Sequence, residues 1–323
     1  MEGKAQERAP LDFSLAGESR RAYGSELLPQ RLAIYAKAHE RAVAMSEYIR
    51  NHANFNSFVQ NRSNKGIVHR LGSCGNYLLF RDYYQINEVR LHQANFCKKH
   101  LVCPLCALRR GSKYVQAYSE KLNVVLEDDP GLWPYLVTLT VKDGPDLMER
   151  FNHLKFSVMK MTELRKEAGR DRRGLLEMNK ALGGVSSYEV KKGKNSEEWH
   201  PHYHATWLCK EQPYETKLSE EWEEITGDSF IVDVKPFDSG QDIIKGFLEV
   251  FAYSLKLSTL TLEDNWEAFQ KLQRTRFINS FGVFRGVQVP EALEDEPIEN
   301  EPFIELLYRY VHGSGYNFMP GKS

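Results

Sequence analysis

No run of residues in this chain is both apolar enough and long enough to span a bilayer. Residues 1–15 carry charges and lack any apolar stretch of the signal-peptide kind. Both absences point to a cytoplasmic protein. Net charge is equally scarce: 43 Lys and Arg against 44 Asp and Glu leave −1 over 323 residues, so no overall polycation advertises a nucleic-acid partner. Five cysteines in a cytoplasmic chain argue against a disulfide framework and for metal binding or reactivity. Internal repeats and low-complexity segments are not evident. What is present is an ordinary globular composition, 41% apolar with 12% aromatic residues, in a length that suits one large domain or two modest ones.

Charge and cysteine are nonetheless concentrated. From Val89 to Ser119 there is no acidic residue, whereas Arg90, Lys98, Lys99, Arg109, Arg110 and Lys113 are basic, which marks a local phosphate-binding patch. From Glu291 to Glu305 there are seven acidic residues and no basic one, a pattern that reads as a solvated loop. Four cysteines, Cys74, Cys97, Cys103 and Cys106, fall within 33 residues. Cys103 and Cys106 form a Cys-x-x-Cys turn around Pro104, and nearby cations favour thiolates. This spacing predicts a tetrahedral site of four sulfurs for a structural Zn²⁺, with His92 or His100 as alternatives to the distant Cys74. A redox role lacks the βαβ context it would need. Cys209 reads as core.

Hydrophobic periodicity predicts helices over 27–51 and 109–126, with a polar connector over 51–73 between the first helix and the cysteine region. After a break at 128–131 the pattern changes to strand 135–141, helix 146–168, strand 184–191, a turn at 193–196, a histidine-bearing strand, helix 214–226, strand 229–235 and helix 241–257. This order predicts an α+β fold with a βαββαβ core of ferredoxin or RRM type. It implies an antiparallel sheet carrying helices on one face, with the other face free to hold a site. The expected segments are an amino-terminal helical region (1–70), a cysteine-rich zinc segment (71–130), a catalytic domain (131–260) and a carboxyl-terminal extension (261–323) whose elements are not ordered by the pattern.

The most informative stretch is His200-Pro201-His202-Tyr203-His204. In a strand, alternate side chains share a face, so His202 and His204 project together while Tyr203, Ala205 and Trp207 turn into a core. Glu189 lies in the preceding strand, and a hairpin through Gly193 brings its carboxylate near the two imidazoles. Two imidazoles and a carboxylate with open positions suit Mg²⁺ or Mn²⁺ holding a phosphate oxygen; His200 competes with Glu189 as third ligand. Further on, Glu249, Tyr253 and Lys256 share one helical face. A nearby cation favours the phenolate of a tyrosine whose unperturbed pKa is ~10, and a phenolate attacks phosphodiesters.

Four elements resemble, in the family's order, the rolling-circle plasmid replication initiators of the HUH endonuclease superfamily. They are residues 91–97 through Cys103-Pro104-Leu105-Cys106 and Arg109-Arg110, the strand Leu136-Val137-Thr138-Leu139-Thr140-Val141, the histidine motif 200–204, and the tyrosine segment 249–256. Phe281-Gly282-Val283-Phe284-Arg285 is a further echo. The resemblance implies a metal-dependent, site-specific nicking endonuclease and strand transferase acting on single-stranded or hairpin origin DNA. Tyr253 would form a 5′-phosphotyrosine and leave a priming 3′-hydroxyl. A metal on His202, His204 and Glu189 would polarise the phosphate, Lys256 would offset charge, and Glu249 would activate water at termination, as in the single-tyrosine branch. Thr138, Thr140, Lys98, Lys99, Arg109 and Arg110 are the expected DNA contacts. The host helicase and replication machinery are implied partners, a membrane is not, and a homodimer is compatible with the sequence. The competing readings are a relaxase, which places its tyrosine before the histidine motif, an HUH transposase, which is shorter, and a zinc-stabilised regulator that binds DNA without cutting it.

Overall fold

The computed structural model of the protein describes residues 24–52, 58–171, 174, 176–237, 242–252 and 256–320. In chain order the elements are α1 (Leu28–His52), α2 (Phe58–Ser73), β1 (Tyr77–Tyr83), β2 (Glu88–Ala94), α3 (Pro104–Asp128), β3 (Trp133–Thr140), α4 (Leu147–Asp171), β4 (Ala181–Lys192), β5 (Trp199–Cys209), α5 (Glu215–Thr226), β6 (Val232–Pro236), α6 (Asp242–Phe251), α7 (Leu262–Leu272), β7 (Ile278–Gly282), β8 (Ile304–Val311) and β9 (Gly315–Met319). They form an α+β protein with two antiparallel sheets. Among the described residues no helix is long and apolar enough to cross a membrane.

Two compact units divide the chain: residues 1–99, 103–106 and 292–323 in one, residues 100–102 and 107–291 in the other. The expected four consecutive segments are therefore not the compact ones. In the first unit the strand order is β2-β1-β8-β9, so the expected carboxyl-terminal extension contributes half of the sheet that follows the amino-terminal helices. Helix α1 buries Tyr35, Ala38, Ala42, Met45 and Ile49 at intervals of three and four, the stripe of an amphipathic helix. His39 on the same stripe donates through Nδ1 to the carbonyl of Cys74 at 2.7 Å, with the Tyr310 ring 4.1 Å away. Residues 58–73 are helical rather than a plain connector, because their polarity conceals a periodic inner edge at Ile67 and Leu71. Part of the acidic run is not solvated either: Asp295 is buried, accepts from the backbone of Leu91 at 2.7 Å and pairs with Arg31 at 3.4 Å.

The second unit carries the five-stranded sheet, in the order β6-β3-β5-β4-β7. Alternation along its strands sends neighbouring residues to opposite faces. Tyr188 on one face packs edge-on against Phe151 of α4, with ring centroids 5.5 Å apart. Ser187, its neighbour on the other face, donates to the carbonyl of Val250 in α6. Helices therefore cover both faces. The expected open face is filled at one end by Val115, Tyr118 and Leu122 of α3 and Phe247, Val250 and Phe251 of α6, packed on Val185 and Leu208. The continuous apolar side of α3 required this second cover, since an amphipathic helix of that length has to bury its stripe somewhere. Gly246 lets α6 approach closely, for a Cβ there would enter the ring of Phe237.

Candidate active site and metal centre

Strand β5 lies between β3 and β4, and its register aligns the residues of interest. His204 stands opposite Thr138 on one side and Ser187 on the other; His202 stands opposite Thr140 and Glu189; His200 is opposite Lys191. All face the same side of the sheet as Ser187, and the α3–α6 cover leaves this end to polar groups. His204 Nδ1 is 3.1 Å from Thr138 Oγ1, and its Nε2 is 2.7 Å from Glu189 Oε2. The two rings of His202 and His204 are near parallel at 5.7 Å, while that of His200 meets His202 edge-on at 4.2 Å.

Glu189 is only 2% exposed. Lys256 Nζ donates to its Oε2 at 2.7 Å and to Glu249 Oε1 at 2.7 Å, joining Glu189 of β4 to Glu249 of α6. Burial works to raise the Glu189 pKa, but the contact with His204 and the charge of Lys256 outweigh it and hold the carboxyl down to about 2. Burial, followed by the charge of Lys191, drives His202 down to about 2, so this imidazole is neutral and keeps a free lone pair. Neither His202 Nε2 nor His204 Nε2 has a hydrogen bond among the described residues: Glu189 approaches His204 off the direction a ring N–H would take. Buried imidazole nitrogens without a hydrogen bond, one of them beside a carboxylate, are suited in kind to a cation. Tyr253 lies outside the described residues.

The cysteines meet as expected. Cys74 Sγ is 3.6 Å from Cys106 Sγ and 3.5 Å from Cys103 Sγ, and Cys97 Sγ is 3.6 Å from Cys106 Sγ. A tetrahedron with Zn–S arms of ~2.3 Å has edges of about 3.8 Å, close to these separations. All four are buried and free of disulfides. Cys74, not His92 or His100, completes the quartet. Among the described residues this is the group of three or more candidate ligands whose atoms all lie within 4.8 Å of one another, and His202, His204 and Glu189 do not close to that degree. Hydrogen bonds from Cys103, Cys106 and Cys74 pull the Cys97 thiol well down, whereas burial pushes Cys103 far up. Four crowded sulfurs ionise together only beside a dication. Burial also pushes the isolated Cys209 up to about 12, as fits a core thiol.

Several expected DNA contacts are placed otherwise. Arg109 is 4% exposed, and Arg110 donates to the carbonyl of Pro290 at 2.5 Å while its guanidinium lies 4.6 Å from the centre of the Tyr114 ring. Arg109 is thus withdrawn from the surface, while Arg110, half-buried, has its guanidinium engaged by a carbonyl and a ring. Thr140 is buried with its hydroxyl towards the carbonyl of Ile231, so it fills the sheet; Thr138 is turned to His204. Lys98 is exposed and Lys99 half-buried. No motif pointed to Asp143, whose carboxylate meets His200 Nδ1 and accepts from Ser196 Oγ at 2.5 Å. Nor did any periodicity connect residues so far apart in the chain.

The chain is similar to known proteins. A family model described as "Replication protein" matches residues 88–305, most of the chain. A protein of Streptococcus pneumoniae called "Protein rep" is 26% identical over 249 residues, covering 72% of this chain and 74% of its own. Proteins of the same name from Bacillus sp (31% identical, 42% of this chain and 41% of that one) and Lactiplantibacillus plantarum (26%, 74% and 78%) are similar too. No solved structure matches the chain at a significant level. The match across residues 88–305 takes in the cysteine pair at 103 and 106, the histidine strand and the segment bearing Glu249 and Lys256, and by it this chain belongs to the replication protein family.

Proposed function

We propose that this protein starts rolling-circle replication by nicking single-stranded origin DNA through a covalent tyrosine intermediate, in the manner of an HUH endonuclease. One observation carries the chemistry: His204, Glu189, Lys256 and Glu249, drawn from β5, β4 and the segment around α6, make a continuous chain of contacts on one face of the sheet. The strand order β6-β3-β5-β4, with α4 and α5 as crossovers, supports a βαββαβ core under that chain.

In this reading the phenolate of Tyr253 bonds to the scissile phosphorus as the P–O3′ bond breaks. The departing oxygen takes a proton to become the 3′-hydroxyl that primes synthesis. Lys256 offsets the charge gathering on the phosphorane. Glu249, whose side chain is open to solvent, takes the proton of the water or hydroxyl that later displaces the tyrosine. His202, His204 and Glu189 would hold a Mg²⁺ or Mn²⁺ ion, which supplies a Lewis acid to the phosphate when bound. The Nε2 of His202, without a hydrogen bond, and that of His204, beside the Glu189 carboxylate at 2.7 Å, support that donor set. The cysteine quartet holds Zn²⁺ and acts in folding.

The test is a cleavage assay with end-labelled single strands from the protein's own replicon and Mn²⁺, resolved on a denaturing gel. A protease-sensitive adduct that disappears in Tyr253→Phe, with DNA binding kept, supports the proposal. Binding without any adduct refutes it and favours a non-catalytic DNA-binding role, whereas an adduct that survives Tyr253→Phe refutes Tyr253 as the nucleophile.

A further inference from the structure

A cleft of about 620 Å³ opens in the second unit where the β4–β5 hairpin meets the start of α7. It lies within the ~300–1,000 Å³ typical of small-ligand sites. Its walls include Lys191, Lys192, Lys194, Asp143, His200 and Asp264. Lys191 and His200 face each other across the strands, one rung beyond Glu189 and His202 on the same face. At a rise of ~3.4 Å per residue, that rung is roughly 7 Å from the proposed metal ligands.

The charges in the cleft do not cancel. Asp264 is engaged by Lys192 at 3.4 Å, and Lys192 Nζ also lies 4.1 Å over the Trp199 ring. Asp143 is engaged by His200 and by Ser196. Lys191 and Lys194 have no ion-pair partner among the described residues, so two ammonium groups are left to an incoming anion, and three lysines against Asp143 and Asp264 leave the cleft net positive. The wall that presents them is fixed before any ligand arrives. Gly144 and Trp199 exchange two backbone hydrogen bonds (3.1 and 2.8 Å), and Gly193 donates to Glu198 at 2.9 Å and accepts from Glu197 at 3.0 Å. Gly193 leaves room for this: a Cβ there would run into Asp143 and Ser196.

We propose that this cleft is a subsite for one nucleotide of the DNA strand next to the cleaved linkage, its phosphate held by Lys191 and Lys194. The inference rests on the nickase reading, and it adds a contact that fixes which linkage reaches Tyr253. A strand laid along the β4–β5 ladder passes from the Glu189–His202 rung to the Lys191–His200 rung without leaving the sheet face. Ser196, Asn195 and the anchored His200 ring then border the nucleotide's base and sugar.

Two measurements on the full chain test it. The first is binding of oligothymidylate against salt concentration, by fluorescence anisotropy without divalent metal, for wild type, the pair Lys191→Gln with Lys194→Gln, and Lys210→Gln as an exposed control. Loss of the one phosphate contact that the two lysines share should flatten the log–log salt slope by about 0.7, and the control should not change it. The second is single-turnover nicking with a methylphosphonate, which lacks the charge, placed in turn at each linkage beside the mapped nick. One position should slow wild type and leave the already slowed lysine pair unaffected. An unchanged salt slope, or methylphosphonate effects that multiply with the lysine substitutions at every position, overturns the cleft. Should wild type form no adduct while the salt slope still flattens, the nickase reading fails and the anion site stands. A normal adduct with an unchanged slope is the reverse. Circular dichroism of the variant pair separates misfolding from loss of contact, and Lys191→Arg with Lys194→Arg should restore the slope.

Discussion

Lys256 Nζ stands 2.7 Å from Glu189 Oε2, an ion pair whose carboxylate side chain is 3% exposed and whose ammonium side chain is 23% exposed. Such a pair is costly to halve. Removing the lysine leaves a buried charge with only His204 beside it, and breaking a buried pair in this way costs about 3 kcal/mol. Lys256→Met should therefore lower the stability measured by urea unfolding by roughly that amount, while Lys256→Arg loses far less. Adding Glu189→Gln to Lys256→Met should recover part of the loss, and a double-mutant cycle reads the coupling.

A second prediction concerns acid. Glu177 is buried, accepts from Lys180 Nζ at 2.6 Å and from the backbone of Tyr214 at 2.7 Å, and lies 3.4 Å from Lys217. Burial opposes ionisation, but Lys180 and the Tyr214 amide prevail, and the carboxyl sits below its ordinary value of 4.5. A depressed acid stabilises the fold above its unfolded pKa, and that contribution is lost as pH falls through the folded one. Wild type should thus lose stability relative to Glu177→Gln on going below about pH 4.5, and the two should run parallel above it. Unfolding curves taken across that window check the sign.

Thr138 bears on the proposed metal through His204. Its hydroxyl, 3.1 Å from Nδ1, fixes the ring so that Nε2 faces Glu189. Removing a partner of this sort typically weakens metal affinity ~10–100-fold. Thr138→Val is expected to raise the Mn²⁺ concentration needed for half-maximal nicking by about tenfold. Metal-free DNA binding should stay as in wild type, and an equal loss of both would make Thr138 a plain sheet-filling residue.

Gly246 sets how closely α6 approaches, and α6 carries Glu249. A methyl group at residue 246 meets the Phe237 ring, itself buried. Gly246→Ala should cost about 1–3 kcal/mol by overpacking. Because the helix must shift, Glu249-dependent release of the adduct should slow more than its formation, as a time course of adduct decay would show.

For the cysteines, the expectation is one tightly held zinc per chain by elemental analysis. Co²⁺ in its place should give the intense thiolate-to-metal absorption of a four-sulfur site. Cys106→Ser should reduce the metal to background and lower the thermal midpoint, since binding energy of a structural zinc is folding energy.

How much of this was legible in the chain depended on the range of the signal. Alternation in β5 fixed which side His202 and His204 share, and the hairpin to β4 brought Glu189 beside them, because both relations are local. Helices α4 and α5 declared themselves by their periodicity. The second cover of the sheet did not, since an amphipathic α3 shows that it has a buried side but not which sheet it meets. The basic run is ambiguous for a related reason: Arg110 on α3 satisfies a carbonyl and stacks on a ring, and composition does not separate such contacts from phosphate contacts. The pairing of β8 with β1 joins residues more than two hundred apart, beyond any pattern in a short window.

That same pairing dictates an order of assembly. A ribosome releases 107–291 complete, with every strand of the five-stranded sheet in hand, before β8 and β9 exist. The four-stranded sheet has to wait, the β8-facing edge of its β1–β2 hairpin left unpaired until residues 304–309 emerge. The four cysteines, by contrast, are all synthesised by residue 106. Early capture of zinc would tie that hairpin region together while its remaining strands are still being made, so the metal's largest effect would fall on folding yield during synthesis and less on the finished protein.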